Sequence, residues 1–85
     1  MTYQIRFEKT AMKFLEKQPQ NQRERILKAI YKLPDEGNIK PLGGYENLYR
    51  LRVGDYRVLY TIHEDIVTIR VLNIGNRGDI YKKLK

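Results

Sequence analysis

Three arginines, Arg50, Arg52 and Arg57, fall within the stretch Tyr49 to Tyr60, Tyr-Arg-Leu-Arg-Val-Gly-Asp-Tyr-Arg-Val-Leu-Tyr. A guanidinium is planar, permanently charged and offers paired donors, so its natural ligand is a phosphate or carboxylate. The stretch reads as a β-hairpin closed by the two-residue turn Gly54-Asp55, whose Gly-X composition is that of a type II′ turn. That turn sets a register: Val53 faces Tyr56, Arg52 faces Arg57, Leu51 faces Val58, Arg50 faces Leu59 and Tyr49 faces Tyr60. Side chains alternate along a strand, so Tyr49, Leu51, Val53, Tyr56, Val58 and Tyr60 share a core face. The other face carries Arg50, Arg52, Arg57 and Leu59. Facing arginines repel across a strand pair, and an anion between them removes the repulsion. Solvent exposure is the plainer reading of any one of these arginines; their convergence is what points to a phosphate-binding sheet face.

The rest of the composition narrows the chemistry. There is no cysteine, and His63 is the sole histidine, so neither thiolate nor histidine-cluster metal sites are available and no metal or cofactor is expected. Eighty-five residues make one domain, residues 1–85, able to bury about two-thirds of its unfolded surface. With 41% hydrophobic and 32% charged residues, the chain is a globular protein rather than a disordered one. No apolar run approaches the roughly 18 residues of a membrane span, and the N-terminus is no signal peptide. A cytoplasmic location is the expectation, with no membrane partner. The net charge of +7 favours a polyanionic partner, either nucleic acid or an acidic protein.

The elements that must position the arginines follow from periodicity. Tyr3, Ile5 and Phe7 alternate on a short strand. Ala11, Phe14 and Leu15 then recur at helical spacing, and this first helix ends near Gln18, because Pro19 disfavours helical backbone in the residue before it. Pro19 suits the first turn of a second helix with the apolar stripe Ile26, Leu27, Ile30 and Leu33, ended by Pro34 and Gly37. The two helices form an αα-hairpin whose stripe is core. Asp35 to Gly44 reads as a loop. A two-residue turn at Glu64-Asp65 would pair Ile62 with Val67, Tyr60 with Ile69 and Val58 with Val71. It would also set Arg57 opposite Leu72 and Leu59 opposite Arg70 on the basic face. Leu59, Leu72 and Ile74 would then lie on or beside that face, and His63 would be a solvated turn residue. The last strand runs to about Ile74. The expected fold is α+β, in the order β-α-α-β-β-β, with an N-terminal helical hairpin packed on one face of a small twisted antiparallel sheet.

This combination resembles the RelE branch of the RelE/ParE toxin superfamily. The resemblance covers nearly the whole chain and rests on Leu-Tyr-Arg-Leu-Arg-Val-Gly-Asp-Tyr-Arg-Val-Leu-Tyr followed by Asn-Ile-Gly-Asn-Arg-Gly-Asp-Ile-Tyr. It implies a ribosome-dependent mRNA interferase that cuts the codon in the aminoacyl site and is blocked by an acidic RelB-type antitoxin. Carried over by position, the family's basic site falls on Arg50, Arg52, Arg57 and Arg77, with Tyr81 as the C-terminal tyrosine. Arg77 and Tyr81 enter through the resemblance alone; by themselves they read as a loop arginine and a tyrosine anchoring the chain end. Where the best-known pattern has lysines on the first hairpin strand, this chain has Arg50 and Arg52. Where that pattern has an arginine in the preceding loop, it has Gly43.

Metal-free RNA cleavage has the ribose 2′-OH attack the adjacent phosphate and expel the 5′-oxygen. With no His pair or carboxylate pair, the chain must work by electrostatic stabilisation and orientation. Arg57 and Arg77 would hold phosphate oxygens, Arg50 and Arg52 would neutralise the backbone or assist the leaving oxygen, and Tyr81 would stack on a base or accept the 2′-OH proton. Lys28, Lys32, Arg70, Lys82 and Lys83 would make further RNA contacts, with solvation their plainer role. Two other readings stand beside this one: a ParE-type toxin that poisons gyrase, and a non-catalytic RNA- or ribosome-binding module.

Overall fold

The hydrophobic period changes at Phe7, and the backbone changes with it. In the computed structural model, which describes residues 3–76, β1 (Gln4–Phe7) leads into α1 (Lys9–Glu16) and α2 (Gln20–Ile30). Pro19 has extended backbone, ψ 151°, and its carbonyl accepts the first α2 bond from Arg23 N–H at 2.9 Å. Gln18 between the helices donates its side-chain amide to the Phe14 carbonyl at 3.2 Å and accepts from the Tyr56 hydroxyl at 3.3 Å. One link residue thus satisfies an orphan carbonyl of α1 and ties the helical hairpin to the sheet.

The strands that follow are β2 (Asn38–Pro41), β3 (Leu48–Val53), β4 (Tyr56–His63) and β5 (Thr68–Asn76). They join β1 in one five-stranded sheet of order β1-β5-β4-β3-β2. β1 lies parallel to β5 and the other pairs are antiparallel. Ala11 and Leu15 of α1, Ile26 and Ile30 of α2, and Leu33 pack on Leu51, Val53, Val58, Tyr60, Ile69, Val71 and Ile74 of the sheet. The expected α+β architecture is present, with the helical hairpin on one face.

Four details differ from the sequence expectation. The sheet is mixed rather than antiparallel throughout, because the helical hairpin crosses over between β1 and the later strands and β1 pairs parallel with β5. Within the segment read as a loop, Asn38–Pro41 pairs with β3 as an edge strand. A proline is tolerated there because its missing N–H faces no neighbour, and Ile39 packs against the core. The Glu64-Asp65 turn does not form. Glu64–Ile66 make a 3₁₀ turn closed by Val67 in left-handed backbone, φ 46°, and the pairing becomes Ile62 with Ile69 and Tyr60 with Val71. This two-residue slip keeps each side chain on its expected face.

A β-bulge at Leu59/Tyr60 then sets Leu59 opposite Asn73, Val58 opposite Ile74 and Arg57 opposite Gly75. The expected pairings of Arg57 with Leu72 and Leu59 with Arg70 are therefore absent. The physical reason lies in β5: Val71 and Ile74 are both core residues, yet three positions apart a regular strand would point them to opposite faces. An extra residue in the strand restores both to the core. Ile74, expected on or beside the basic face, is 2% exposed in that core.

Candidate nucleic-acid interface

The face turned away from the helices is built from alternate residues of all five strands. At the hairpin end, Arg52 stands opposite Arg57, Arg50 opposite Leu59, and on the outer side Lys40 opposite Arg50 and Asn38 opposite Arg52. At the far end Thr61 stands opposite Arg70, and Arg70 opposite Arg6 of β1. The sheet thus brings Arg50, Arg52 and Arg57 together in the expected register and adds Lys40 and Arg6. Lys40 is there because β2 exists; the alternation Asn38-Ile39-Lys40 was its signal.

The turn draws the arginines closer. Gly54 has φ 59° and Asp55 does not have positive φ, which matches a type II′ turn. Its carbonyl oxygen accepts from Arg52 Nε at 3.4 Å and from Arg57 Nη1 at 3.3 Å, and Arg57 Nη1 also donates to the Tyr56 carbonyl at 3.2 Å. A single carbonyl dipole holds two full charges together, which is a poor substitute for a counter-ion. Arg50 donates from Nη2 to Asn38 Oδ1 at 3.1 Å, while its Nε is buried with no hydrogen-bond partner among the described residues. Leu59, beside it, is 1% exposed. That Nε is covered by the protein and closed to a ligand, so a charge-assisted bond from Arg50 to an anionic oxygen comes from the Nη groups of this half-buried side chain.

The other expected contacts separate into three places. Arg70 shares the sheet face but is ion-paired to Glu8. Lys28 lies exposed on α2 and Lys32 just beyond its end, off the sheet face. Arg77, Tyr81, Lys82 and Lys83 lie outside the described residues. His63 ends β4, bonded at Nε2 to Thr61 Oγ1 at 2.9 Å. It is partly buried rather than solvated, and six residues along the strand from Arg57 it is roughly 20 Å away.

Proton-transfer groups are sparse. The Tyr60 hydroxyl lies on the core face, and burial, then the neighbouring Tyr49, push its pKa up to about 12. It cannot serve as a base near neutrality. Among the described residues no three His, Cys, Asp or Glu side chains are grouped to hold a metal, and no helix is long and apolar enough to cross a membrane. What the arrangement can do is bind phosphate and stabilise added negative charge on it.

Residues 5–81 match the family model described as the ParE toxin of the type II toxin-antitoxin system parDE. The chain is 33% identical over 91 residues to Toxin RelG of Mycobacterium tuberculosis, covering 98% of this chain and 100% of that one. It is 32% identical over 84 residues to Toxin RelE3 of Methanocaldococcus jannaschii, covering 91% and 93%. Its fold superposes on the archaeal RelE-RelB complex from Pyrococcus horikoshii with a TM-score of 0.75 at 30% identity, over 93% of this chain and 99% of that one.

Proposed function

This chain is a RelE-type toxin of the RelE/ParE toxin–antitoxin superfamily, and from that premise we propose that it is a ribosome-dependent endoribonuclease that cuts mRNA in the aminoacyl site. The observation that carries the reading is the meeting of Arg52 and Arg57 at one carbonyl oxygen, on the sheet face they share with Arg50. A scissile phosphate supplies the charge these groups lack. A protein that acts by binding a protein surface has no need of guanidinium groups arranged in this way.

In the proposed reaction the 2′-oxygen forms a bond to phosphorus as the bond from phosphorus to the 5′-oxygen breaks. The products are a 2′,3′-cyclic phosphate and a 5′-hydroxyl, the leaving 5′-oxygen taking its proton from water. Negative charge grows on the non-bridging oxygens, where Arg57 and Arg77 act; Arg50 and Arg52 neutralise the backbone and the leaving oxygen. Tyr81 stacks on a base or takes the 2′-OH proton. Arg50 and Arg52 cannot take that proton themselves, since arginine stays charged at any accessible pH. A site so poor in acid and base groups is slow on free RNA, which is why the reading includes the ribosome: ribosomal RNA holds the codon in its reactive bend. The proposal extends to an acidic RelB-type antitoxin as partner, consistent with the solved RelE-RelB relative, and to a cytoplasmic location.

The test adds the protein to programmed, translating ribosomes and to the same mRNA in solution, with an Arg57→Ala, Arg77→Ala variant as control. Cuts confined to the ribosome, in codon register and absent with the variant, are expected. Absence of cuts, together with stabilised gyrase–DNA cleavage complexes, would move the chain to the ParE-type mechanism.

A further inference from the structure

A second cationic feature lies around the corner from the sheet face. Between α2 and β3 runs a groove of about 460 Å³ lined by Arg25, Lys28, Lys32 and Arg52, with Glu36 the one acidic residue on its wall. Arg25, Lys28 and Lys32 follow at intervals of three and four, the spacing of one helix face. All three are exposed, and none is ion-paired among the described residues. Lys28 sits in the last turn of α2 and Lys32 just beyond its end, where the helix dipole favours a cation; the dipole does not account for Arg25.

The groove is joined to the candidate site at the hairpin tip. A Cβ placed on Gly54 would come within 2.7 Å of Arg25 Nη2 and 3.2 Å of Nη1, so the Arg25 guanidinium lies against the turn glycine. Gly54 is also the residue whose carbonyl receives Arg52 and Arg57. Three guanidinium groups from three elements, α2, β3 and β4, therefore surround one turn, and Arg52 lines both the sheet face and the groove. Like charges gathered without partners are destabilising, and a continuous polyanion relieves them along its whole path.

We propose that Arg25, Lys28 and Lys32, with Arg52, form a second phosphate-binding groove that carries a single-stranded RNA backbone from the sheet face, around the Gly54 turn, onto α2. The inference rests on the RNA-cleaving reading and adds to it a path for the nucleotides that flank the cut. The contacts are to phosphates, so the groove extends affinity without adding sequence preference.

The test uses uncleavable 2′-O-methyl oligonucleotides, a trinucleotide and a dodecanucleotide, titrated by fluorescence anisotropy at several salt concentrations. The proteins compared are the unaltered chain, an Arg25→Ala, Lys28→Ala, Lys32→Ala variant and an Arg52→Ala, Arg57→Ala variant. A charge-conserving Arg25→Lys, Lys28→Arg, Lys32→Arg variant guards against a folding effect. The groove variant is expected to bind the trinucleotide normally but to lose the extra affinity of the dodecanucleotide, with its salt slope reduced by about 2, three contacts at ~0.7 each. The charge-conserving variant is expected to retain that affinity. Unchanged dodecanucleotide affinity and slope in the groove variant overturn the inference and leave the groove to an acidic protein segment. If the arginine pair variant alone loses binding, or if the unaltered chain binds neither oligonucleotide, the groove fails; the RNA-cleaving reading falls only if programmed ribosomes also show no cuts.

Discussion

Arg52 and Arg57 face one another across the β3–β4 ladder, and both donate to the carbonyl oxygen of Gly54, at 3.4 and 3.3 Å. Folding has to overcome their mutual repulsion, which in the proposed function a scissile phosphate relieves. Replacing either arginine by alanine should therefore act in opposite directions on stability and activity. Stability in a urea titration should rise by a few tenths of a kcal/mol, while cleavage on programmed ribosomes should fall about 10²- to 10³-fold, the usual loss of one donor to a charged transition state. A variant that loses stability and keeps its cutting rate would remove the arginine pair from the reaction.

Gly54 is required twice. Its φ of 59° is unfavourable for a side-chain-bearing residue, and an added Cβ would stand 2.7 Å from Arg25 Nη2. The arginine tip can swing away, so the backbone term dominates. Gly54→Ala should cost more than about 1 kcal/mol, read as a lower urea midpoint, and should weaken RNA binding by displacing Arg25.

Tyr60 is 0% exposed, stacks on Tyr49 with ring centroids 5.6 Å apart, and its hydroxyl has no hydrogen-bond partner among the described residues. Tyr60→Phe removes that unpaired buried group and should raise stability by about 1 kcal/mol. The tyrosine also sets an alkaline limit. Its folded-state pKa of about 12 lies above the ordinary value of 10.0, so as pH rises the unfolded chain loses this proton first. Its contribution is complete below pH 10 and is lost as pH climbs through 12. Circular dichroism melts across that window should show a shallower decline for Tyr60→Phe.

Val67 holds left-handed backbone, φ 46° and ψ 51°, a conformation that crowds a branched Cβ. It is retained because the Val67 carbonyl accepts from Gln4 N–H at 2.9 Å, docking β1 against the end of β5. Asparagine tolerates this conformation, so Val67→Asn should stabilise the protein by about 1 kcal/mol, measured as a higher thermal midpoint with ribosomal cleavage unchanged.

Local pattern determined much of this protein. Alternation and a two-residue turn were enough to define the β3–β4 hairpin, place Arg50, Arg52 and Arg57 on one face, and set Arg52 against Arg57, because a tight turn leaves only one register. The helical hairpin was legible from its apolar spacing and from Pro19. Tertiary packing decided the rest. The strand at Asn38–Pro41 exists because β3 offers it an edge, and a pattern that short does not outweigh Gly37 before it and Pro41 at its end. The bulge beside Leu59 exists because Val71 and Ile74 must both enter the core. Arg25 reaches the hairpin turn only because α2 packs over β3, a contact between residues 29 positions apart that periodicity within either element does not encode.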